Sequence, residues 1–161
     1  MKTCVLAGIG LVLVLPALLS CSKVTQQQGA EERQENQEET LKQDKMKITI
    51  DGITLPVTLA DNDAVKALVS ALEESSITYT ASDYGGFEKV GPLGLSLPAS
   101  DTRITTSAGD VILYSGNQIV LFHGSNSWSY TRIGKIEFST LDELKSFLKA
   151  GEGDIKVTLS L

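Results

Sequence analysis

The chain has 161 residues, with 14 basic and 20 acidic side chains and a formal net charge of −6, so a single folded domain is expected. The acidic balance and the lack of any basic cluster interleaved with aromatic residues exclude a typical nucleic-acid-binding protein. Both cysteines, Cys4 and Cys21, lie near the start of the chain, which excludes cysteine-ligated metal sites, disulfides and thiolate chemistry in the rest of it.

The first 20 residues have the features of a bacterial export signal. Lys2 gives a positive start, and Val5 to Leu19 is almost wholly apolar but too short for a bilayer span, which needs about 20 residues. The segment 18–21, Leu-Leu-Ser-Cys, resembles the lipobox of bacterial lipoproteins. This resemblance implies lipid transfer to the Cys21 sulfur, cleavage before Cys21 and acylation of the new amino group. An ordinary cleaved signal followed by an idle cysteine is the alternative.

The lipobox also predicts where the protein resides. A lipidated Cys21 would hold the protein to a lipid bilayer in the cell envelope, durably so with several acyl chains. In bacteria with two membranes, an aspartate after the lipidated cysteine favours the inner membrane. Ser22 occupies that position, which implies the outer membrane, facing the periplasm.

Residues 21–45 comprise the lipidated cysteine and a polar tether. The segment after Cys21 is rich in Gln and Glu and nearly free of large apolar residues. It cannot bury enough surface to offset the entropy cost of ordering, although a marginal solvated helix from about Glu31 to Lys45 fits its composition. In either form, the segment is expected to be a flexible spacer between the bilayer and a folded domain at 46–161.

The folded domain opens with a predicted β-hairpin. Two alternating runs, 46–50 and 53–59, flank Asp51-Gly52, and this pattern is a strong hairpin signal. Pro56 predicts an edge or a bulge in the second strand.

Two helices are predicted from caps and apolar spacing. Asp61 or Asn62 caps the first, whose apolar stripe runs to about residue 75. The second opens with a capping box at 140–143 and ends before Gly151.

The remaining strands are short and separated by turn residues. They are predicted at 77–80, 101–105, 110–114, 118–123, 130–138 and 155–161. Eight or so short strands with two helices predict a mainly β domain, either a barrel or a sandwich. A closed barrel would also leave no free strand edges.

Two runs, ITTSAGDVILY at 104–114 and QIVLFHGSNSWSYTRIGKI at 118–136, resemble bacterial cyclophilin-like proteins. The resemblance extends upstream through 84–87 and 46–50, and so covers 46–161. It implies a closed eight-stranded antiparallel barrel capped by two helices, which agrees with the patterning above.

The resemblance implies less about activity. Cyclophilins isomerise X-Pro bonds with an arginine on a barrel strand, a nearby glutamine and an aromatic floor. Phe122-His123 is present here, but Gly124 stands where their Phe-His-Arg-Val-Ile strand has its arginine. No catalytic residue is therefore carried over to this chain.

Trp128, Tyr130 and Arg132 are candidate ligand contacts because they alternate along one predicted strand and would share a face. This row of two aromatic residues and a cation predicts the floor of a groove for a peptide or a flat ligand. An outer stacking ladder, with Arg132 over Tyr130, is the alternative.

Tyr84 and Phe87 are further candidate contacts, because the paired glycines between them let backbone approach a partner closely. A tight bend with Phe87 in the core is the alternative.

His123, the only histidine, is either a pocket donor or a strand-end residue held by hydrogen bonds.

Metal and serine chemistry have little support in the sequence. A lone histidine without cysteines or a tight acidic cluster cannot form a typical zinc site, so neither a metal nor a cofactor is expected. The run 124–128 lacks the second glycine of the G-x-S-x-G elbow, and Asn and Ser side chains there predict a hydrogen-bonded turn.

These features lead to one main hypothesis and two alternatives. The main one is a membrane-anchored lipoprotein whose cyclophilin-like domain is a non-catalytic module that binds a peptide, protein or small-molecule ligand. The second is a peptidyl-prolyl isomerase in which Arg103 or Arg132 donates to the twisted amide. The third is a structural component of a larger complex.

Overall fold

A computed structural model describes residues 45–161. The predicted signal peptide, Cys21 and the tether up to residue 44 lie outside the described residues. The strands are β1 (Lys45–Ile50), β2 (Ile53–Leu59), β3 (Ile77–Tyr84), β4 (Glu88–Pro92), β5 (Thr102–Thr105), β6 (Asp110–Tyr114), β7 (Gln118–Phe122), β8 (Ser127–Ile136) and β9 (Ile155–Ser160). The helices are α1 (Asp63–Glu74) and α2 (Leu141–Phe147).

Eight of these strands form a closed antiparallel barrel. Their hydrogen-bonded order is β2-β1-β9-β3-β4-β7-β6-β8, and β8 pairs back to β2 where Gly134 lies opposite Leu59. The short strand β5 is additional and pairs with residues 127–130 of β8. The predicted mainly β architecture, an eight-stranded barrel with two helices, is confirmed.

Closure of the barrel depends on a glycine. A Cβ atom on Gly134 would overlap the carbonyl oxygen of Thr58 and would lie 2.9 Å from Cγ1 of Val57. Any other residue would push β8 away from β2, because backbone atoms of a central strand cannot move aside cheaply.

The first hairpin follows the sequence prediction. Asp51 and Gly52 both have positive φ, and they join Ile50 to its partner Ile53. Pro56 comes one residue before the first pair between β2 and β8, so its missing N–H falls outside that ladder.

Both helices begin at the predicted caps. The Asn62 side chain accepts a hydrogen bond from Val65 N at 3.0 Å, and Thr140 and Glu143 form the predicted capping box. Because β2 and β8 are antiparallel, α1 and α2 leave opposite ends of the barrel. Between residues 45 and 161 no helix is long and apolar enough to cross a membrane.

Apolar side chains form two clusters. The larger fills the barrel and includes the buried faces of both helices. The smaller, here called the outer cluster, consists of Ile112, Val120, Phe122 and Tyr130. Ile112 and Val120 alternate with interior residues along β6 and β7, so the outer cluster lies on the outside of the barrel.

Candidate functional site

A groove of about 410 Å³ lies over the outer cluster, and we call it the outer groove. Its lining residues are Tyr84, Glu88, Val90, Tyr114, Gln118, Val120, Asn126, Trp128 and Tyr130. The volume is in the range of small-ligand sites, about 300–1,000 Å³. Four of the nine lining residues are aromatic, one is a carboxylic acid and none is Lys, Arg or His.

The turn between β3 and β4 brings two lining residues together. Gly85 and Gly86 both have positive φ, at 61° and 77°, and such a turn suits glycine because it has no Cβ. The turn places Tyr84 directly opposite Glu88 across the two strands. The paired glycines therefore form a tight bend that builds one wall of the groove.

Phe87 supports this wall from behind and is not among the lining residues. Its ring stacks on that of Phe122 with a centroid separation of 6.2 Å, and its carbonyl oxygen accepts hydrogen bonds from the backbone N–H groups of His123 and Gly124, both at 2.9 Å. A Cβ atom on Gly124 would lie 2.6 Å from Cβ of Phe87. The close approach of Phe87 thus explains why position 124 is a glycine.

Tyr130 forms the floor of the groove and is only 5% exposed. Its ring meets the rings of Phe122 and Tyr114 edge-on, with centroid separations of 5.9 and 6.0 Å. The Asn126 amide donates to its hydroxyl at 3.1 Å. Burial, and then the nearby Glu88 carboxylate, raises the pKa of Tyr130, so the phenol stays neutral.

Glu88 is the acidic group of the groove. It is 5% exposed, and its Oε2 atom has no hydrogen-bond partner within the described part of the chain. Burial raises its pKa from 4.5 to about 7. A buried carboxyl group without a partner is rare in folded proteins, because desolvation penalises its charged form.

Trp128 and Tyr84 lie at the mouth of the groove, with 55% and 66% of each residue exposed. The turn that precedes β8 holds Trp128 in place. There the Ser125 hydroxyl donates to the Thr106 carbonyl at 2.7 Å, and the Asn126 side chain accepts from Ser127 N at 2.8 Å. These bonds confirm the hydrogen-bonded turn predicted from the Ser and Asn residues.

Arg132 shares the outer face with Trp128 and Tyr130 but does not line the groove. It lies opposite Ile112 of the outer cluster, and its guanidinium binds the Asp110 carboxylate at 2.7 Å. Burial acts to raise the pKa of Asp110, but the hydrogen bonds from Arg132, the backbone N–H of Ser107 and Lys135 hold it below its usual value. The third member of the predicted row is thus part of a structural ion pair.

His123 also lies apart from the outer groove. It follows Phe122 of the outer cluster, is 6% exposed, and has no hydrogen-bond partner for Nε2 among residues 45–161. Burial, together with the positive charges of Lys145 and Lys89, lowers the pKa of His123, although the Asp83 carboxylate opposes this. Its charged neighbours are therefore not those of the groove.

Metal binding has no donor set in the described region. Between residues 45 and 161 no group of three or more His, Cys, Asp or Glu side chains could hold a metal ion. The outer groove contains a single carboxyl group, which does not suit Ca²⁺ or Mg²⁺, cations that bind several oxygen ligands.

Of the six predicted ligand contacts, the structure brings together Tyr84, Trp128 and Tyr130. Sequence reasoning missed Glu88, Tyr114, Val90, Gln118, Val120 and Asn126 as groove residues. Tyr114 and Gln118 are paired across the β6–β7 turn, and alternation along those strands is the signal that could have identified them.

Comparisons with known proteins agree with this fold. The model of the family described as the cyclophilin-like family matches residues 48–160. The chain is also similar to a hypothetical protein from Archaeoglobus fulgidus whose solution structure is known, with a TM-score of 0.51 and 21% identity over 72% of this chain and 92% of that chain. At this identity the likeness concerns the fold alone. No curated protein matched the chain.

Proposed function

The chain belongs to the cyclophilin-like family, and on that premise we propose that it is a lipid-anchored protein of the cell envelope whose barrel binds a ligand in the outer groove without catalysis. The observation that carries the binding role is the groove itself, a preformed concave site of about 410 Å³ with four aromatic side chains in its lining. Concave aromatic sites with a few fixed polar groups are typical of ligand binding.

The placement of the aromatic side chains supports binding. Trp128 and Tyr84 expose more than half of their surface at the mouth, while Tyr130 is held in the floor by Tyr114 and Asn126. Exposed aromatic surface above an apolar floor favours ligand binding, because the groove and the ligand both remove apolar surface from water when they associate.

The position of the arginines favours binding over prolyl isomerisation. An isomerase of this kind needs a donor aimed at the twisted amide. Neither Arg103 nor Arg132 lines the groove, and Arg132 is bound to Asp110. We expect no turnover of a proline-containing peptide in a protease-coupled assay, and turnover that disappears in Arg132→Ala would replace the binding role by an enzymatic one.

A fragment screen tests the binding role. We expect neutral or charged fragments to shift the backbone amide signals of Tyr84, Trp128 and Tyr130 in a nuclear magnetic resonance spectrum of the full chain in non-ionic micelles. Trp128 is the only tryptophan, so its fluorescence reports the same event independently. If no fragment perturbs these residues, or if the responses concentrate elsewhere, the binding role is wrong.

Membrane attachment is tested at the two cysteines. The apolar run just before Cys21 supports lipidation there, so we expect Cys21→Ala to lose the lipid mass and to leave the membrane fraction. Cys4→Ala is the matched control, because Cys4 lies in the predicted signal, and it should remain membrane-bound. A native product that keeps its initial methionine and an unmodified Cys21 would contradict the anchor.

A further inference from the structure

The outer groove contains a buried acid without a counter-charge. Only 5% of the surface of Glu88 is exposed, and its Oε2 atom has no hydrogen-bond partner within residues 45–161. The carboxylate would be costly to keep in this environment without a counter-charge or a hydrogen-bond donor. A ligand that supplies both would remove that cost.

The nearby cations of the barrel already have partners. Arg132 and Lys135 bind Asp110 at 2.7 and 3.2 Å, and Lys89 binds Asp83 at 2.8 Å. The other titratable groups of the lining are phenols, which cannot carry a positive charge: Tyr84 from β3, Tyr114 from β6 and Tyr130 from β8. The β7 residues of the lining, Gln118 and Val120, have no ionisable group. The charge of Glu88 therefore has no counter-ion on the lining of the groove.

The aromatic lining also favours a positively charged ligand. The faces of Tyr and Trp rings carry negative charge density and attract organic cations within about 6 Å, with Trp the strongest. Four such rings surround the groove, and Tyr114 and Tyr130 are fixed edge-to-face at 6.0 Å. The Glu88 carboxylate and the aromatic rings of the lining both favour a ligand with one positive charge and an apolar body.

Other ligand classes fit less well. An anion would meet the Glu88 carboxylate without any Lys, Arg or His in the lining, and a neutral ligand would leave its Oε2 without a counter-charge. A metal ion would find only one carboxyl group there. The volume of about 410 Å³ suits a small organic molecule.

We propose that the outer groove binds a small alkylammonium ion, whose N–H groups donate to Glu88 and whose apolar body packs on Trp128 and Tyr130. This assignment rests on the proposed ligand-binding role and names the chemical class of the ligand. The acidic chain, with its net charge of −6, would also attract such a cation from solution.

Binding should depend on pH in a defined direction. The burial that raises the pKa of Glu88 to about 7 leaves the carboxyl mostly protonated at pH 6 and mostly charged at pH 8. Since the cation prefers the charged form, affinity should rise roughly tenfold over this interval. An alkylammonium ion stays charged throughout, so the change would belong to the protein.

The experiment uses benzylammonium as the probe and benzyl alcohol as its neutral isostere, with the full chain in non-ionic micelles. At pH 8 we expect Glu88→Gln to weaken benzylammonium binding at least tenfold, and Trp128→Leu to weaken it about fivefold. Glu73→Gln makes the same chemical change at an exposed position of α1 and should leave the affinity unaltered. Circular dichroism establishes that each variant is folded.

The outcomes separate this assignment from the binding role on which it rests. If benzyl alcohol binds as tightly as benzylammonium, or if Glu88→Gln binds the cation unchanged, the alkylammonium assignment is wrong while the groove still binds ligands. If an unstructured lysine-containing peptide binds but benzylammonium does not, the small-molecule assignment is also wrong. If neither fragments nor probe shift the groove residues, both proposals fail.

Discussion

Replacing Asp83 with asparagine is expected to lower the free energy of unfolding by about 3 kcal/mol. Asp83 is the counter-ion of Lys89, whose side chain has no exposed surface, and their N–O distance is 2.8 Å. The variant would leave a buried ammonium group whose other bond is to the carbonyl oxygen of Gly153, at 2.5 Å. Removing one partner of a buried pair costs far more than the pair contributes, because the remaining charge stays desolvated.

A double-mutant cycle checks the physical reason. Lys89→Met removes the buried charge and leaves Asp83, which is 26% exposed and accepts hydrogen bonds from the backbone N–H groups of Gly151 and Gly153. We expect this variant to lose less stability than Asp83→Asn, and the double variant to be more stable than Asp83→Asn alone. Equal losses in urea denaturation for all three variants would show that the buried ammonium is not the source of the effect.

The same pair predicts an acid limit to stability. Burial acts to raise the pKa of Asp83, but the hydrogen bonds from Lys89, Gly151 and Gly153 hold it below its ordinary value of 3.8. Because the folded-state pKa is lowered, its contribution is present at neutral pH and is lost as the pH falls through that lowered value. Asp83→Asn should therefore lose this part of the acid dependence.

Local features of the chain were predictable because the signals act over a few residues. The Asp51-Gly52 turn and the capping box of α2 depend only on backbone preferences and neighbouring side chains, and both formed where expected. The number and spacing of the strands predicted a barrel or a sandwich, and the family resemblance predicted the closed barrel that the structure has. The set of strands differs in one member, because the strand predicted at 101–105 is β5, outside the barrel, and β4 takes its place.

The boundaries of β8 and the presence of β4 depended on distant contacts. β8 was predicted at 130–138 and spans Ser127–Ile136, because its first residues pair with β5, the strand predicted at 101–105. β4 (Glu88–Pro92) was not predicted, because it forms by pairing with β3 and β7 and has no alternation of apolar and polar residues of its own. The pairing of β8 with β6 also shifts register between Val111 and Ile112. None of these features is encoded in a local alternation pattern.

The groove was partly predictable for a similar reason. Alternation placed Trp128 and Tyr130 on one face, and the structure puts both in the groove. The sequence of β4 gave no such signal, because Glu88 and Lys89 are adjacent ionisable residues and both are buried. Glu88 faces the outer groove, and Lys89 faces the barrel interior. Only the neighbouring strands decide that one is paired with Asp83 and the other is left without a partner.

Glu88→Gln is expected to stabilise the protein by about 3 kcal/mol at pH 8 and to have little effect at pH 4. Burial raises the pKa of Glu88 from 4.5 to about 7. The unfolded chain therefore releases this proton near pH 4.5, whereas the folded chain keeps it until about pH 7. Since the folded state holds more protons in between, wild-type stability falls across this range, and the uncharged glutamine avoids the loss.

Urea denaturation of wild type, Glu88→Gln and Glu73→Gln at pH 4 and pH 8 measures this effect. Glu73 is exposed, so its replacement should change stability little at either pH. A Glu88→Gln variant that is less stable than wild type at pH 8 would show that the carboxylate has a favourable partner in the folded protein, which contradicts the uncompensated acid on which the alkylammonium site depends.

Glu88→Gln is expected to weaken binding of the cation but to stabilise the folded protein at pH 8, and the combination of the two effects is diagnostic. A residue kept for packing or structure should lose stability when it is replaced, as Asp83 is expected to do. A residue that lowers stability at neutral pH yet strengthens binding of a cation indicates a site where function opposes stability. Addition of benzylammonium at pH 8 should then stabilise wild type and leave Glu88→Gln nearly unchanged, because the ligand supplies the missing counter-charge only where the carboxylate is present.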